Sequence, residues 1–401
     1  MPRVSPFEGL TYLDAAGPLD QVTAPPYDVI SDDHRRAYQE ASPYSVVHLD
    51  LAEGSRDPAD PGNRYDRAAG LLERWQSEGA LARAPSPQYY AYEMAFELDG
   101  AAGAIRGLFV ALELEPWGIG VIPHERTMAG PVEDRLRLLR ATRTHLSAVY
   151  GAIAGPNAQL ATLLRDVTAG HPSHRTRDGQ GVEHRMWSVP AEDRIAEWFA
   201  DTPILIADGH HRYTTALQYR DEVHAVRGAG PWDQVLALVV DATAEHLPVL
   251  PFHRIQTAGA PSSPAVGTTV DGASEALDAI SDDPPSVALV VPGPVGPRFE
   301  VIALGGAPPA VRALHEGPLR EVSDADLRFT PDAAQAVGAV ASGEAVAAWL
   351  LPPTTPDRIR EVIERGERLP QKSTYFWPKP RTGMVMMPLD AATTPPAAPS
   401  S

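Results

Sequence analysis

The chain has 401 residues, of which 43% are hydrophobic. That is enough to bury a sizeable core, and the length suggests two or three domains. Asp and Glu number 52 against 34 Lys and Arg, a formal net charge of −18 that repels nucleic-acid phosphates and argues against a general DNA or RNA binder. There are no cysteines, which excludes disulfides, thiolate catalysis, Cys-ligated zinc and iron–sulfur clusters.

The opening segment Met1 to Leu10 lacks an apolar core and carries Glu8, so no secretory signal is expected there. No apolar run approaches the roughly 18 residues of a membrane span. The expectation is a soluble cytoplasmic protein with no membrane partner. Lysine occurs only at Lys372 and Lys379, while every other strong base is Arg. Two compact ammonium groups within one short stretch suggest a use that a guanidinium does not serve.

In chain order, residues 1–115 read as mixed helix and strand. Ser42 to Leu51 starts with a turn pair and reads as a short strand. Tyr65 to Gly79 has the spacing of an amphipathic helix, with Ala68, Leu71, Leu72 and Trp75 on one face. Tyr89–Phe96 and Ile105–Glu113 read as paired strands, joined near Asp99-Gly100. Residues 131–145 form a helix opened by Pro131 with Glu133 and Asp134 in its first turn. Ser147–Ala154 reads as a strand and 165–185 as a loop or hairpin. A short apolar strand ends at Ala207, and a helix starts at His211 with Tyr213, Ala216 and Leu217 on one face. Residues 235–241 are a buried strand, 286–350 a smaller α+β module and 357–368 a charged helix. Residues 373–388 read as a hairpin turning near Thr382-Gly383.

The expected organisation is an N-terminal catalytic region over 1–256, a flexible linker over 257–285, a C-terminal module over 286–389 and a disordered tail over 390–401. The fold class is α+β with mixed sheets.

Several familiar motifs are missing. No G-x-x-x-x-G-K-[ST] loop occurs, and Gly118-Ile119-Gly120 lacks the third glycine of a dinucleotide fingerprint. His124-Glu125 is followed by Met128 where a zincin needs its second His. No G-x-S-x-G elbow is present.

Four segments carry chemistry. In Asp208-Gly209-His210-His211-Arg212 a buried strand feeds a turn that opens a helix. The helix N-terminus makes an anion site, Gly209 lets backbone approach a ligand, and Arg212 adds a fork for phosphate or carboxylate. His210 and His211 suit hydrogen bonding to a charged oxygen or proton transfer, and Asp208 suits a hydroxyl or a Mg²⁺ ion. An Asp-capped helix with surface histidines is the plainer explanation, but the whole cluster after an apolar strand favours a site. In Pro123-His124-Glu125-Arg126-Thr127, Glu125 is a candidate general base and His124 a proton carrier or metal ligand, against a merely solvated loop. Asp134 and Arg135 either support this loop or form an ordinary helix-start pair. Pro25-Pro26 presents Tyr27 and Asp28 at a rigid bend, equally consistent with a structural turn. Lys372 to Lys379 places Lys372, Thr374 and Phe376 on one strand face, fitting either phosphate binding or a core-closing strand.

Together these stretches, with Pro43 to Leu49, resemble the bacterial and archaeal family called domain of unknown function 1015. The resemblance runs to about Leu389. A second, local resemblance links Asp208-Gly209-His210-His211-Arg212 to the nucleotide-binding turn of free serine kinases, which have a ParB/sulfiredoxin-like fold. That resemblance implies a ParB-like strand–turn–helix site binding ATP or ADP with Mg²⁺. Gly209, His210, His211 and Arg212 would contact the phosphates, and Asp208 would place metal or substrate. The base would be a carboxylate from an earlier segment, Glu125 first and Asp28 second. Lys372 or Lys379 would add charge neutralisation.

The function expected is phosphoryl transfer to a hydroxyl of a small metabolite, with free serine the leading acceptor. One rival is a metal-dependent hydrolase that gathers His124, Glu125, Asp208, His210 and His211 round one ion. The other is a non-enzymatic nucleotide-sensing module.

Overall fold

The long alternating apolar stretches near the N-terminus form the widest sheet. In the computed structural model, which describes residues 2–126, 129–153, 155–200, 202–261 and 267–390, β2 (Gln88–Leu98) and β3 (Ala101–Glu113) pair antiparallel from Tyr90↔Phe109 to Leu98↔Ala101. The turn between them has positive φ at both Asp99 (52°) and Gly100 (78°), which suits a two-residue hairpin. Around this hairpin lie β1 (Val4–Ser5), β4 (Val121–Ile122), β5 (Val149–Ile153), β6 (His174–Arg177), β7 (Glu183–Pro190), β8 (Ile204–Asp208) and β9 (Gln234–Asp241). Among the described residues the order is β4-β8-β5-β9-β3-β2-β7-β6, with β1 beside β3. The sheet is mixed: β4 runs parallel to β8 and β5 parallel to β9, while the other neighbours are antiparallel.

The chain divides into two compact units. The first comprises residues 1–122, 127–246 and 378–401, and the second comprises 123–126 and 247–377. The helices of the first unit include α1 (Asp32–Ala41), α2 (Val47–Asp50), α3 (Arg64–Ser77), α4 (Ala129–Thr142), α5 (Ala158–Thr168) and α6 (His210–Arg227). The face of the sheet carrying Leu108, Val110, Val149, Ile206 and Val239 packs with Leu160, Leu164, Tyr213 and Ala216. A second core gathers Val46, Val47, Leu49, Leu72 and Trp75, with Leu138 and Met386.

The second unit holds β10 (Val249–Pro251), β11 (His253–Gln256), β12 (Thr268–Val270), β13 (Ser286–Pro292), β14 (Pro297–Ala303), β15 (Leu327–Thr330), β16 (Ala347–Leu350) and β17 (Thr374–Phe376). Its main sheet runs β12-β14-β13-β16-β11-β15, and β10 pairs with β17. Both faces are covered. One packs α8 (Ala310–Glu316) and α10 (Pro356–Glu364) on Val287, Leu289 and Trp349. The other packs α7 (Ala273–Ala279) and α9 (Ala333–Ala341) on Ala288, Val290 and Leu350. Burial on both sides explains the continuous apolar runs of these strands.

Some expectations need correction. Residues 42–51 form a helical turn over Val47–Asp50 where a strand was expected, because Val46, Val47 and Leu49 all enter one core instead of alternating. The expected loop or hairpin over 165–185 begins inside α5, and its later part forms the β6–β7 hairpin. The expected hairpin over 373–388 does not form. Residues 374–376 pair with β10, residues 387–388 pair with 144–145, and the two pieces belong to different units. The Gly/Ser-rich stretch 257–285 contributes β12 and α7 to the second unit, whose main segment starts at Leu247. The tail from Ala391, together with Ala154 and Thr127, lies outside the described residues.

Candidate functional site

The strand–turn–helix at 204–227 forms as the sequence implies. β8 lies between β4 and β5, with an irregularity in its pairing to β5 between Ile206 and Asp208. Gly209 has φ +94° and ψ 26°, and it caps α6, an 18-residue helix. A Cβ at Gly209 would lie 3.1 Å from the guanidinium of Arg212, so both conformation and space favour glycine. The first-turn N–H groups of such a helix have no intrahelical acceptor and attract anions.

Asp208 sits under this turn between two cations. Arg212 Nη2 donates to Asp208 Oδ2 at 2.5 Å, and Lys379 Nζ bonds Asp208 Oδ1. Arg212 also donates to the carbonyl of Ala148. The three charged side chains are nearly dry, with 12%, 10% and 4% of the Asp208, Arg212 and Lys379 side chains exposed. His210 is buried and stacks on Trp117 at 6.0 Å, whereas His211 is half-buried. Tyr150, the register partner of Asp208, and Thr214 on α6 have buried hydroxyls with no hydrogen-bond partner.

A second charged cluster lies in the same unit. Arg135 donates to Asp50 Oδ1 at 2.7 Å and to Asp134 Oδ2 at 2.6 Å. Its guanidinium lies 4.3 Å from the centroid of the Tyr27 ring. Asp50 is buried, and burial raises its pKa against the pull of Arg135 and Arg212. Its Oδ2 is buried without a hydrogen bond. Tyr27, Asp50, Arg135, His145, Ser147 and Arg212 are among the residues lining a cavity of about 40 Å³. Asp28 is exposed beside Tyr27 and adds negative potential at Asp50. Arg381 reaches Thr23 through its Nε at 2.7 Å, tying the segment that carries Lys379 to the stretch before Pro25-Pro26.

His124, Glu125 and Lys372 belong to the second unit. Glu125 accepts N–H bonds from Lys372 (3.0 Å), Ser373 (3.0 Å) and Thr374 (2.9 Å), and a bond from the Thr374 hydroxyl at 2.8 Å. His124 is fully buried, with Nε2 2.7 Å from Thr374 Oγ1. Lys372 Nζ lies 5.2 Å from the centroid of Phe252.

The predicted residues therefore form two sets. Asp28, Asp208, Gly209, His210, His211, Arg212 and Lys379 are in the first unit, and His124, Glu125 and Lys372 are in the second. Asp208 does not fit its expected role as a metal ligand, because its oxygens already face an ammonium and a guanidinium. Among the described residues no three His, Asp or Glu side chains are grouped to hold a metal ion. The turn fits an anion better: a helix end and two cations flank it. Sequence reading missed Asp50, whose neighbours in sequence are apolar, and Arg254, described below.

Fold and site define an α+β protein of mixed sheets with a charged strand–turn–helix site. A family model described as a protein of unknown function (DUF1015) matches residues 4–270, and the chain belongs to that family. A search of curated proteins gave no match. Among solved structures, a free serine kinase in complex with AMP is 15% identical at a TM-score of 0.37, covering 67% of this chain and 86% of that one. A conserved hypothetical protein from Pyrococcus furiosus is 14% identical at a TM-score of 0.38, covering 68% and 93%. C-terminally truncated SbnI from Staphylococcus aureus is 11% identical at 0.38, covering 68% and 85%. No helix of the described residues is long and apolar enough to cross a membrane.

Proposed function

We propose that the turn at 208–212 binds the phosphates of ADP or ATP and that the protein transfers a phosphoryl group to the hydroxyl of a small metabolite, free serine being the leading acceptor. The observation that carries this reading is Asp208 holding Arg212 and Lys379 together at the N-terminus of a long helix. Phosphoryl transfer asks mainly for positioned positive charge, which two cations and a helix end supply. Asp208 acts here as the internal counter-ion: it keeps Arg212 and Lys379 in place, and an arriving phosphate shares them. Mg²⁺, which neutralises phosphate charge when bound, would come with the nucleotide, held by its phosphates and water. The acceptor hydroxyl gives its proton to a carboxylate. Asp28, which shares the first unit with the turn, is the candidate.

Phosphorus NMR of the protein with Mg²⁺, ADP or ATP, and free serine tests the reading. A new phosphomonoester resonance that needs serine, and that disappears in Arg212→Ala, supports it. Unchanged nucleotide with serine and with other small alcohols refutes it.

A further inference from the structure

The peptide segment that grips Glu125 is itself gripped from its opposite side. Arg254, on β11, is fully buried. It donates to the carbonyls of Phe252 (2.6 Å), Lys372 (2.8 Å) and Gln371 (3.3 Å), and its Nε lies 3.2 Å from His315 Nε2. The Gln371 carbonyl belongs to the same peptide unit as the Lys372 N–H, and the Lys372 carbonyl to the same unit as the Ser373 N–H. Two consecutive peptide planes thus receive the Arg254 guanidinium on their oxygens and offer their N–H groups to the two oxygens of Glu125. Neighbouring peptides usually alternate in direction. Here φ +53° at Lys372 turns both N–H groups to one side, the geometry of an anion-binding nest.

Charge follows the same line. Among the described residues no carboxylate forms an ion pair with Arg254, and Glu125 is the acidic group that acts on it electrostatically. Burial pulls the Arg254 pKa down to about 9, and Glu125 opposes that shift. The buried cation and the carboxylate compensate each other through two aligned peptide dipoles. His315, whose pKa burial and Arg254 lower to about 3, stays neutral and accepts from Arg254.

We infer that Arg254 is a positioning residue for Glu125, acting through the peptide units 371–372 and 372–373. Without the fork on their oxygens, the two peptides rotate more freely, and the Glu125 carboxylate loses its fixed direction. Lys at 254 keeps the charge but not the planar pair of donors.

The test uses the full-length protein and the variants Arg254→Gln, Arg254→Lys and Glu125→Gln. Hydrogen exchange read by mass spectrometry reports the amides of 372–374 whether or not the enzyme turns over. The expected result is faster exchange in that segment by about tenfold or more in Arg254→Gln and in Glu125→Gln, with no added effect in the double variant. Arg254→Lys should lie between wild type and Arg254→Gln, and it serves alone if the Gln variant does not fold. Wild-type exchange at 372–374 in both Arg254 variants overturns the inference.

Discussion

Asp208→Asn is the sharpest perturbation of the first unit. The substitution keeps the shape and removes the charge that Arg212 and Lys379 share. Those cations have side chains 10% and 4% exposed, so the cluster lies near the buried limit. Breaking a buried pair costs about 3–5 kcal/mol, against about 0–1 for a surface pair. The Asn oxygen still accepts one bond, so the lower end, about 3 kcal/mol, is expected. With a urea slope of about 3 kcal/mol per molar, the midpoint should fall by about 1 M. Tryptophan fluorescence in urea measures it. The same reasoning predicts rescue, because inorganic phosphate or ADP supplies the missing negative charge. At one hundred times its dissociation constant, a ligand returns about 2.7 kcal/mol. Added ADP should therefore raise the variant's midpoint by more than the wild type's. A midpoint within about 0.2 M of wild type would refute the claim that Asp208 compensates two buried cations.

Three further outcomes follow from the geometry. Gly209→Ala places a Cβ at φ +94° and 3.1 Å from the Arg212 guanidinium, so it should cost about 1–2 kcal/mol in urea unfolding and weaken ADP binding by displacing Arg212. Arg135→Met leaves Asp50 and Asp134 without their shared cation and should destabilise by about 3–5 kcal/mol; adding Asp50→Asn should recover part of that loss. Burial holds the pKa of His145 and of His253 at about 4, below the ordinary 6.5, so the unfolded chain binds these protons more readily than the folded one. Stability is then full above about pH 6.5 and falls toward pH 4, each such histidine contributing up to about 1.4 kcal/mol per pH unit. His145→Gln should flatten that slope in urea midpoints taken from pH 7 to 5, and an unchanged slope would remove His145 from the account.

What the sequence made legible was local. The strand, the turn glycine and the helix at 204–227 each depend on near neighbours, so apolar spacing and the Asp208-Gly209 pair located them. The hairpin at Asp99-Gly100 was legible for the same reason. Residues 42–51 misled because β-branched Val46 and Val47 look strand-like, while tertiary packing favours a helical turn that buries both. The two lysines stood out in composition, yet the chain passes from one unit to the other between Trp377 and Pro378, so Lys372 and Lys379 serve different clusters. Asp50 and Arg254 left almost no trace. Each is a charge set in a largely buried stretch, and its meaning comes from partners 85 and 118 positions away. The available signal was the charge itself, set in a stretch that otherwise reads as core: Val46 to Leu51 for Asp50, and Phe252 to Ile255 for Arg254.

The central claim is that Arg212 and Lys379 form a nucleotide-phosphate site at the start of the 210–227 helix. Titration calorimetry with ADP, on the wild type and on Arg212→Ala and Lys379→Ala, tests it directly. The account predicts binding by the wild type and a loss of about tenfold or more in each variant, the scale of one charge-assisted contact. No heat of binding in the wild type, or equal affinity in all three proteins, would contradict it.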